Sequence, residues 1–183
     1  PLVPEPKRIA LSYDRPIPFD GRFRFPIGRP KMFAEFDAAL ARRFRNVPKV
    51  AALPNFDGGV AKLGFAPGGY RITITAKGVS VLGEYGPANG VGESRGLRMG
   101  LRRLADLAFV KNGKLHLPTG TIEDWPSVPS RGVHLFVGPV AGPFQRRLWD
   151  RVLLPLGMDR VVLQCERAEW DALPNLRGGD AMP

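Results

Sequence analysis

The feature that most constrains this chain lies in its last third: an apolar run, an amphipathic stretch and a second apolar run, in that order. Gly132-Val133-His134-Leu135-Phe136-Val137 has the length and content of a strand. Phe144 through Leu156 is predicted to be a helix, with Phe144, Leu148, Val152 and Leu156 inward at helical spacing. Arg160 to Cys165 returns as a second strand, Val-rich enough to be buried on both faces. Two strands joined through a helix pair parallel, with a right-handed crossover. Such a β-α-β unit cannot close a core by itself. With residue 183 soon after the second strand, the pattern reads as a barrel cut off after its first quarter.

The preceding residues follow a different grammar. Arg8 to Tyr13 reads as a short strand, followed by a Pro- and Arg-rich connection through Pro30. From Lys31 to Arg45, Phe33, Phe36, Leu40 and Phe44 recur at helical spacing. Pro30 fits just ahead of this helix, and Arg42, Arg43 and Arg45 complement the negative end of its dipole. Val50 to Leu53 and Val60 to Phe65 read as strands separated by Asn55-Phe56-Asp57-Gly58-Gly59. Tyr70-Arg71-Ile72-Thr73-Ile74-Thr75 alternates with period two. Ala76-Lys77-Gly78 turns the chain, and Val79-Ser80-Val81-Leu82 returns as the hairpin partner.

Gly83, Gly86, Gly90, Gly92 and Gly96 then lead toward a helix, which invites a phosphate-loop reading. However, Gly90-Val91-Gly92-Glu93-Ser94-Arg95 lacks the third glycine of a dinucleotide fingerprint, and no Gly-Lys-Ser/Thr occurs. A tight helix entry fits better. The helix runs from about Ser94 to Ala108, with Leu97, Leu101, Leu104 and Ala108 on one face and Arg98, Arg102 and Arg103 mostly off it. Lys111-Asn112-Gly113-Lys114 turns, and Leu115-His116-Leu117 is a short strand in which His116 is half-exposed, with no second ligand near it in sequence. Thr121 to Pro129 is extended and proline-bound, a boundary. The expected architecture is therefore an α+β domain over 1–126, a sheet with packed helices, followed over 127–183 by the first β-α-β unit of an incomplete (β/α)8 barrel.

The formal charge of +10 raises the question of nucleic acid. The arginines come as pairs, Arg42-Arg43, Arg102-Arg103 and Arg146-Arg147, on or near predicted helices, and aromatics are not interleaved with them as a stacking platform needs. They read as solvated helix faces, and no nucleic-acid partner is expected. Cys165 is the only cysteine, which rules out an internal disulfide and a thiolate zinc cluster. It reads as a small buried hydrophobe, and no metal or cofactor is expected. No run approaches the ~20 apolar residues of a membrane span. The chain opens Pro1-Leu2-Val3-Pro4 without an initiator Met or an apolar leader core, so an absent leader says little.

Several pieces occur in a specific order: Tyr70-Arg71-Ile72-Thr73-Ile74, the glycine-rich helix entry, Leu101-Arg102-Arg103-Leu104, Ile122-Glu123-Asp124-Trp125-Pro126, then Arg131-Gly132. Over residues 60–165, and best over 70–135, the set resembles the N-terminal half of the β-N-acetylhexosaminidases of glycoside hydrolase family twenty. The resemblance implies a small α/β domain ahead of a (β/α)8 barrel with its site at the C-terminal ends of the strands. It also implies a carbohydrate substrate, terminal N-acetylhexosamine, hydrolysed with the sugar's own acetamide as nucleophile. The Asp that orients the acetamide and the Glu that acts as acid would both lie beyond residue 183, leaving no catalytic residue in this chain. Many relatives are exported, which makes a secreted or periplasmic setting the family's suggestion, but this chain shows no address and its compartment stays open. Of the family's site residues, Arg131 is the one carried over, as a forked donor to sugar hydroxyls. Glu166, in the acidic cluster with Glu169 and Asp171 after the second strand, is a further candidate sugar contact.

Two positions depart from the family. Phe136 stands where an Asp is usual, and Val162-Leu163-Gln164 stands where a His-Trp-His run is common. They mark a divergent branch. Two other readings remain open at this point: the front domain of another carbohydrate hydrolase, such as an α-glucuronidase or a glycosidase acting on protein-linked sugars, and a basic non-catalytic α/β module binding nucleic acid or an anionic polymer.

Overall fold

The computed structural model describes residues 5–19, 23, 33–44, 54–85, 95–128, 130–136, 142–153, 156–158 and 160–164. The chain divides into two compact units, Pro1–Pro129 and Ser130–Pro183.

The first unit is built on one mixed sheet of β1 (Arg8–Pro18), β2 (Asn55–Ala61), β3 (Tyr70–Thr75), β4 (Gly78–Glu84), β5 (Phe109–Lys111) and β6 (Lys114–Asp124). Its order is β1-β6-β3-β4-β2, with β5 also paired to β6. Helices α1 (Phe33–Arg43) and α2 (Arg95–Leu107) pack on each other, and α2 lies against β3 and β4. The β3–β4 hairpin forms as its period-two pattern dictates: Tyr70, Ile72 and Ile74 face the helices together with Val79 and Val81, all buried. Leu97, Leu101 and Leu104 of α2 close the core from above. Each such side chain contributes about 1.5–3 kcal/mol by leaving water. Phe19, Phe23, Phe36 and Phe56 extend this core, with ring centroids 4.8 Å apart for Phe19–Phe23 and 5.3 Å for Phe23–Phe36 and Phe23–Phe56.

Several elements differ from the expectation. The stretch Asn55 to Gly59 is strand rather than turn, and it pairs parallel to β4 at the sheet edge. Burial of the Phe56 ring in the aromatic cluster outweighs the turn propensity of its neighbours. Residues 50–53, expected as a separate strand, lie outside the described residues. β1 runs on to Pro18, because its irregularity between Ser12 and Ile17 lets Pro16 sit off the ladder before Ile17 and Pro18 rejoin it opposite Leu117 and His116. Ile122, Glu123 and Asp124, expected in a boundary segment, instead belong to β6, which lies between β1 and β3. Within β6, Gly120 has φ +132°, and a Cβ there would collide with the carbonyl oxygen of Ala10 on β1. Arg103 is not on an exposed face: α2 is covered by the sheet on one side and α1 on another, and Arg103 is 5% exposed.

The second unit contains β7 (Gly132–Phe136), α3 (Gly142–Leu148) followed by a π-helical turn (Trp149–Leu153), and β8 (Arg160–Gln164). β7 and β8 pair parallel, residue 132 with 160 through 136 with 164. The inward positions of the helix are not those expected. Phe144 and Val152 are 59% and 43% exposed, while Gln145 and Leu153 are buried. Gln145 donates from Nε2 to the Phe136 carbonyl at 3.3 Å, which turns α3 away from the apolar stripe, and the wider π turn then changes the phase. In both strands exposed residues alternate with half-buried ones.

Candidate functional site

The strand register of the second unit fixes where its chemistry can sit. Arg131 immediately precedes β7, and its carbonyl accepts a hydrogen bond from Arg160 N at 3.1 Å, opening the parallel ladder. The residue is half-buried and its Nε is shielded from water. Five residues on, Phe136 ends β7 beside Gln164, the last residue of β8. At ~3.3 Å per residue, Arg131 and Phe136 stand roughly 16 Å apart along the strand, so they occupy opposite ends of it. Gly132 is small for a local reason. A Cβ there would come within 2.8 Å of the Arg160 carbonyl oxygen, so the neighbouring strand uses the space. Glu166 and the acidic cluster around it lie outside the described residues, as does Cys165. The structure therefore describes one of the two expected sugar contacts and does not bring it to the C-terminal strand ends.

In the first unit a set of charged residues is engaged across the sheet. Glu123 on β6 lies between its register partners Arg8 on β1 and Arg71 on β3. Arg71 Nε donates to its Oε1 at 2.6 Å and Arg8 Nη1 to its Oε2 at 3.0 Å. Burial alone would raise the Glu123 carboxyl. The hydrogen bonds from Arg71 and Arg8, and then their charges, outweigh it and hold the group below its usual range. Two residues on, Trp125 completes a clasp where the chain leaves this sheet. Trp125 stacks on Phe65 with centroids 4.8 Å apart, Lys7 Nζ and Arg8 lie 4.9 Å and 5.2 Å from the Trp125 ring, and Arg71 lies 5.8 Å from that of Phe65.

Sequence reasoning missed a second, buried network. Arg103 Nε donates to Tyr70 Oη at 3.3 Å, Tyr70 Oη lies 3.4 Å from Asp124 Oδ2, and Arg103 Nη1 lies 3.5 Å from Asp106. Burial pushes the Tyr70 phenol up to about 12, against the opposing pull of Arg103. Burial also raises Asp106, with Arg103, Arg43 and Arg102 pulling it back. Arg43 donates to the carbonyls of Ala105 at 2.7 Å and Ala108 at 3.3 Å, satisfying acceptors at the end of α2. A charged residue at helical spacing signals exposure by default, and only a second covering element overrides it. His116 is half-exposed, its Nδ1 2.9 Å from the Lys114 carbonyl. Among the described residues no group of His, Cys, Asp and Glu could hold a metal, and no helix is long and apolar enough to cross a membrane.

No family model matches the chain, and no curated protein matches it in sequence. Solved structures do match in fold. A glycoside hydrolase family 20 β-N-acetylglucosaminidase superposes with a TM-score of 0.65 at 21% identity, over 88% of this chain and 30% of its own. The GH20 exo β-N-acetylglucosaminidase from Vibrio harveyi, in complex with N-acetylglucosamine, gives 0.59 at 15% identity, over 88% of this chain and 25% of its own. CpGH84B gives 0.61 at 12% identity, over 93% and 30%. The chain thus spans less than a third of the length of these structures. It has the fold of the N-terminal α+β domain of the GH20 hexosaminidases together with the first β-α-β unit of their barrel.

Proposed function

We propose that this chain is the front portion of a glycoside hydrolase that removes terminal N-acetylhexosamine by substrate-assisted catalysis. The observation that carries the reading is the reach of the fold likeness. It covers both units, 88% of the chain for a family 20 β-N-acetylglucosaminidase, and the ordered motifs from Tyr70 to Gly132 run through the same span. In this reading 1–126 is a non-catalytic support domain and 127–183 begins the catalytic barrel. The Asp and Glu that orient the acetamide and donate the proton come from later strands, so the 183 residues alone turn nothing over. Arg131, reaching from the start of β7 toward the strand ends, and Glu166, beyond β8, contact the sugar in this reading. The engagement of Arg8, Arg43, Arg71 and Arg103 inside the first unit supports this reading over a basic groove for nucleic acid.

The test is hydrolysis by the full-length protein of 4-nitrophenyl N-acetyl-β-glucosaminide against the matching glucoside, with a thiazoline mimic of the cyclised acetamide as inhibitor. Turnover confined to the N-acetyl substrate and blocked by the thiazoline is expected. Equal turnover of the glucoside would overturn the mechanism, because the nucleophile would not be the acetamide. A second reading, the front domain of a different carbohydrate hydrolase, is favoured by the match to CpGH84B, which covers 93% of the chain. Turnover of another glycoside class alone would select it.

A further inference from the structure

The exposed face of the second unit carries an aromatic pair that the reading above does not use. Val133 and Leu135 of β7 are half-buried, while His134 and Phe136 project from the opposite, exposed face. Phe136 is 75% exposed. Its ring stacks on that of His134, with centroids 5.3 Å apart and planes 22° from parallel. Across the ladder, Val162 pairs with His134 and Gln164 with Phe136, and both are exposed on the same face. In a (β/α)8 fold the face away from the helices looks into the barrel, and ligands meet the C-terminal strand ends. Phe136 and Gln164 form the last pair of the ladder among the described residues, on its C-terminal side.

We propose that Phe136, backed by His134, is a stacking platform for the apolar face of a pyranose ring, with the Gln164 amide beside it for the ring's hydroxyls. This rests on the glycosidase reading above and assigns the floor of its site. A pyranose presents C–H groups on one face, which the electron-rich face of an aromatic ring attracts, and hydroxyls at its rim. The His134 ring beneath Phe136 restricts its rotamers, so little freedom is lost when a sugar settles on it. Gln164 offers both a donor and an acceptor, the pair a hydroxyl needs. A barrel-interior layer is served by branched aliphatics such as Val162, so a stacked aromatic pair at the strand end is more than filling.

The experiment uses the full-length protein with three variants: Phe136→Leu, which keeps apolar bulk without a ring; Phe136→Tyr, which keeps the ring; and Gln164→Ala. The readouts are KM and kcat for 4-nitrophenyl N-acetyl-β-glucosaminide, calorimetric affinity for N-acetylglucosamine, and melting temperature. Phe136→Leu is expected to raise KM and weaken sugar binding about tenfold, with kcat within about twofold and an unchanged melt. Phe136→Tyr should stay within about twofold of the parent, and Gln164→Ala should weaken binding several-fold. Parental KM and affinity in Phe136→Leu would overturn the platform and leave the glycosidase reading intact. If Phe136→Leu does not fold, parental affinity in Gln164→Ala together with a loss in Phe136→Tyr would overturn it. If the parent neither hydrolyses nor binds N-acetyl sugars, methyl glucoside, galactoside and glucuronide are titrated instead. Binding of one of them that Phe136→Leu abolishes keeps the platform and dismisses the substrate. Binding of none overturns both.

Discussion

Arg103 on α2 donates from Nε to the phenol oxygen of Tyr70 on β3 across 3.3 Å. Asp124 on β6 completes the link at 3.4 Å, so a helix and two neighbouring strands meet on one buried hydroxyl. Burying Arg103 without such partners would cost several kcal/mol, so the Tyr70 hydroxyl and Asp106 are what allow that position to be covered.

Tyr70→Phe removes that hydroxyl and should cost about 1–3 kcal/mol near neutral pH. It should also change the alkaline limb. Burial holds the folded phenol up at about 12, above its ordinary value of 10.0. Its contribution is therefore fully present below about pH 10 and is lost as pH rises through about 12, on the order of 2–3 kcal/mol. Urea unfolding from pH 7 to 12 should show this decline in the parent and not in the variant. An unchanged alkaline slope in Tyr70→Phe would place the titration elsewhere.

For Glu123 the sign reverses. Its carboxyl is held below the usual range by Arg71 and Arg8, so the stability it contributes is present above the unfolded carboxylate pKa and is lost as pH falls through the depressed one. Both arginines are partly exposed, which screens the pairing and limits it to about 1 kcal/mol. Glu123→Gln should therefore be less stable than the parent at pH 7, and the two should converge as pH falls through the depressed carboxyl pKa. Melts at stepped pH check this.

Arg43 spans from α1 to the end of α2. Arg43→Met keeps the stem and removes both donors, and about 1 kcal/mol should be lost, with faster amide exchange at the end of α2. Exchange changes confined to α1 would contradict the capping role.

A Cβ at Gly96 would fall on the Gly69 carbonyl oxygen and 3.0 Å from Glu84 N, the pair that form a 2.8 Å hydrogen bond beneath α2. Gly96→Ala should cost about 3 kcal/mol, because only backbone can move. A melting temperature within a degree of the parent would contradict this packing.

In the full-length protein, Arg131→Ala should lower kcat/KM on an N-acetylglucosaminide by roughly one to two decades, and Arg131→Lys should recover little. The loss should shrink on deoxy substrates that lack the contacted hydroxyl. Equal losses on both, or a melt that falls with activity, would assign Arg131 to the β7–β8 junction, where its carbonyl already serves.

The elements legible in the sequence were those whose periodicity and burial agree. Tyr70 to Leu82 and the Leu97-Leu101-Leu104 stripe are such cases. β2 and β6 were obscured because Asn55-Phe56-Asp57-Gly58-Gly59 and Pro118-Thr119-Gly120 carry turn residues, and only tertiary partners (the aromatic cluster for Phe56, the β1 backbone for Gly120) turn them into strand. The phase of α3 was unreadable because a single contact, Gln145 to the Phe136 carbonyl, and a π turn reset it. Of the candidate site, Arg131 was singled out through its Gly132 neighbour, and the structure places it at the start of β7 rather than at the strand ends; the Phe136–His134 stack was masked by its conformity to strand alternation.

The pairing of β1 with β6 sets the order in which the first unit can be completed. Arg8 and Glu123 are 115 positions apart, yet they lie in register. On a ribosome adding about 5–20 residues per second, β1 emerges roughly 6–23 s before its partner exists. During that interval the β3–β4 hairpin can form from neighbouring residues, while β1, with Ile9 and Tyr13 on show, has no ladder to join. Its early life is that of an unclaimed strand, and Lys7, Arg8, Arg15, Pro16 and Pro18 are the residue types that discourage a stray strand from claiming it first.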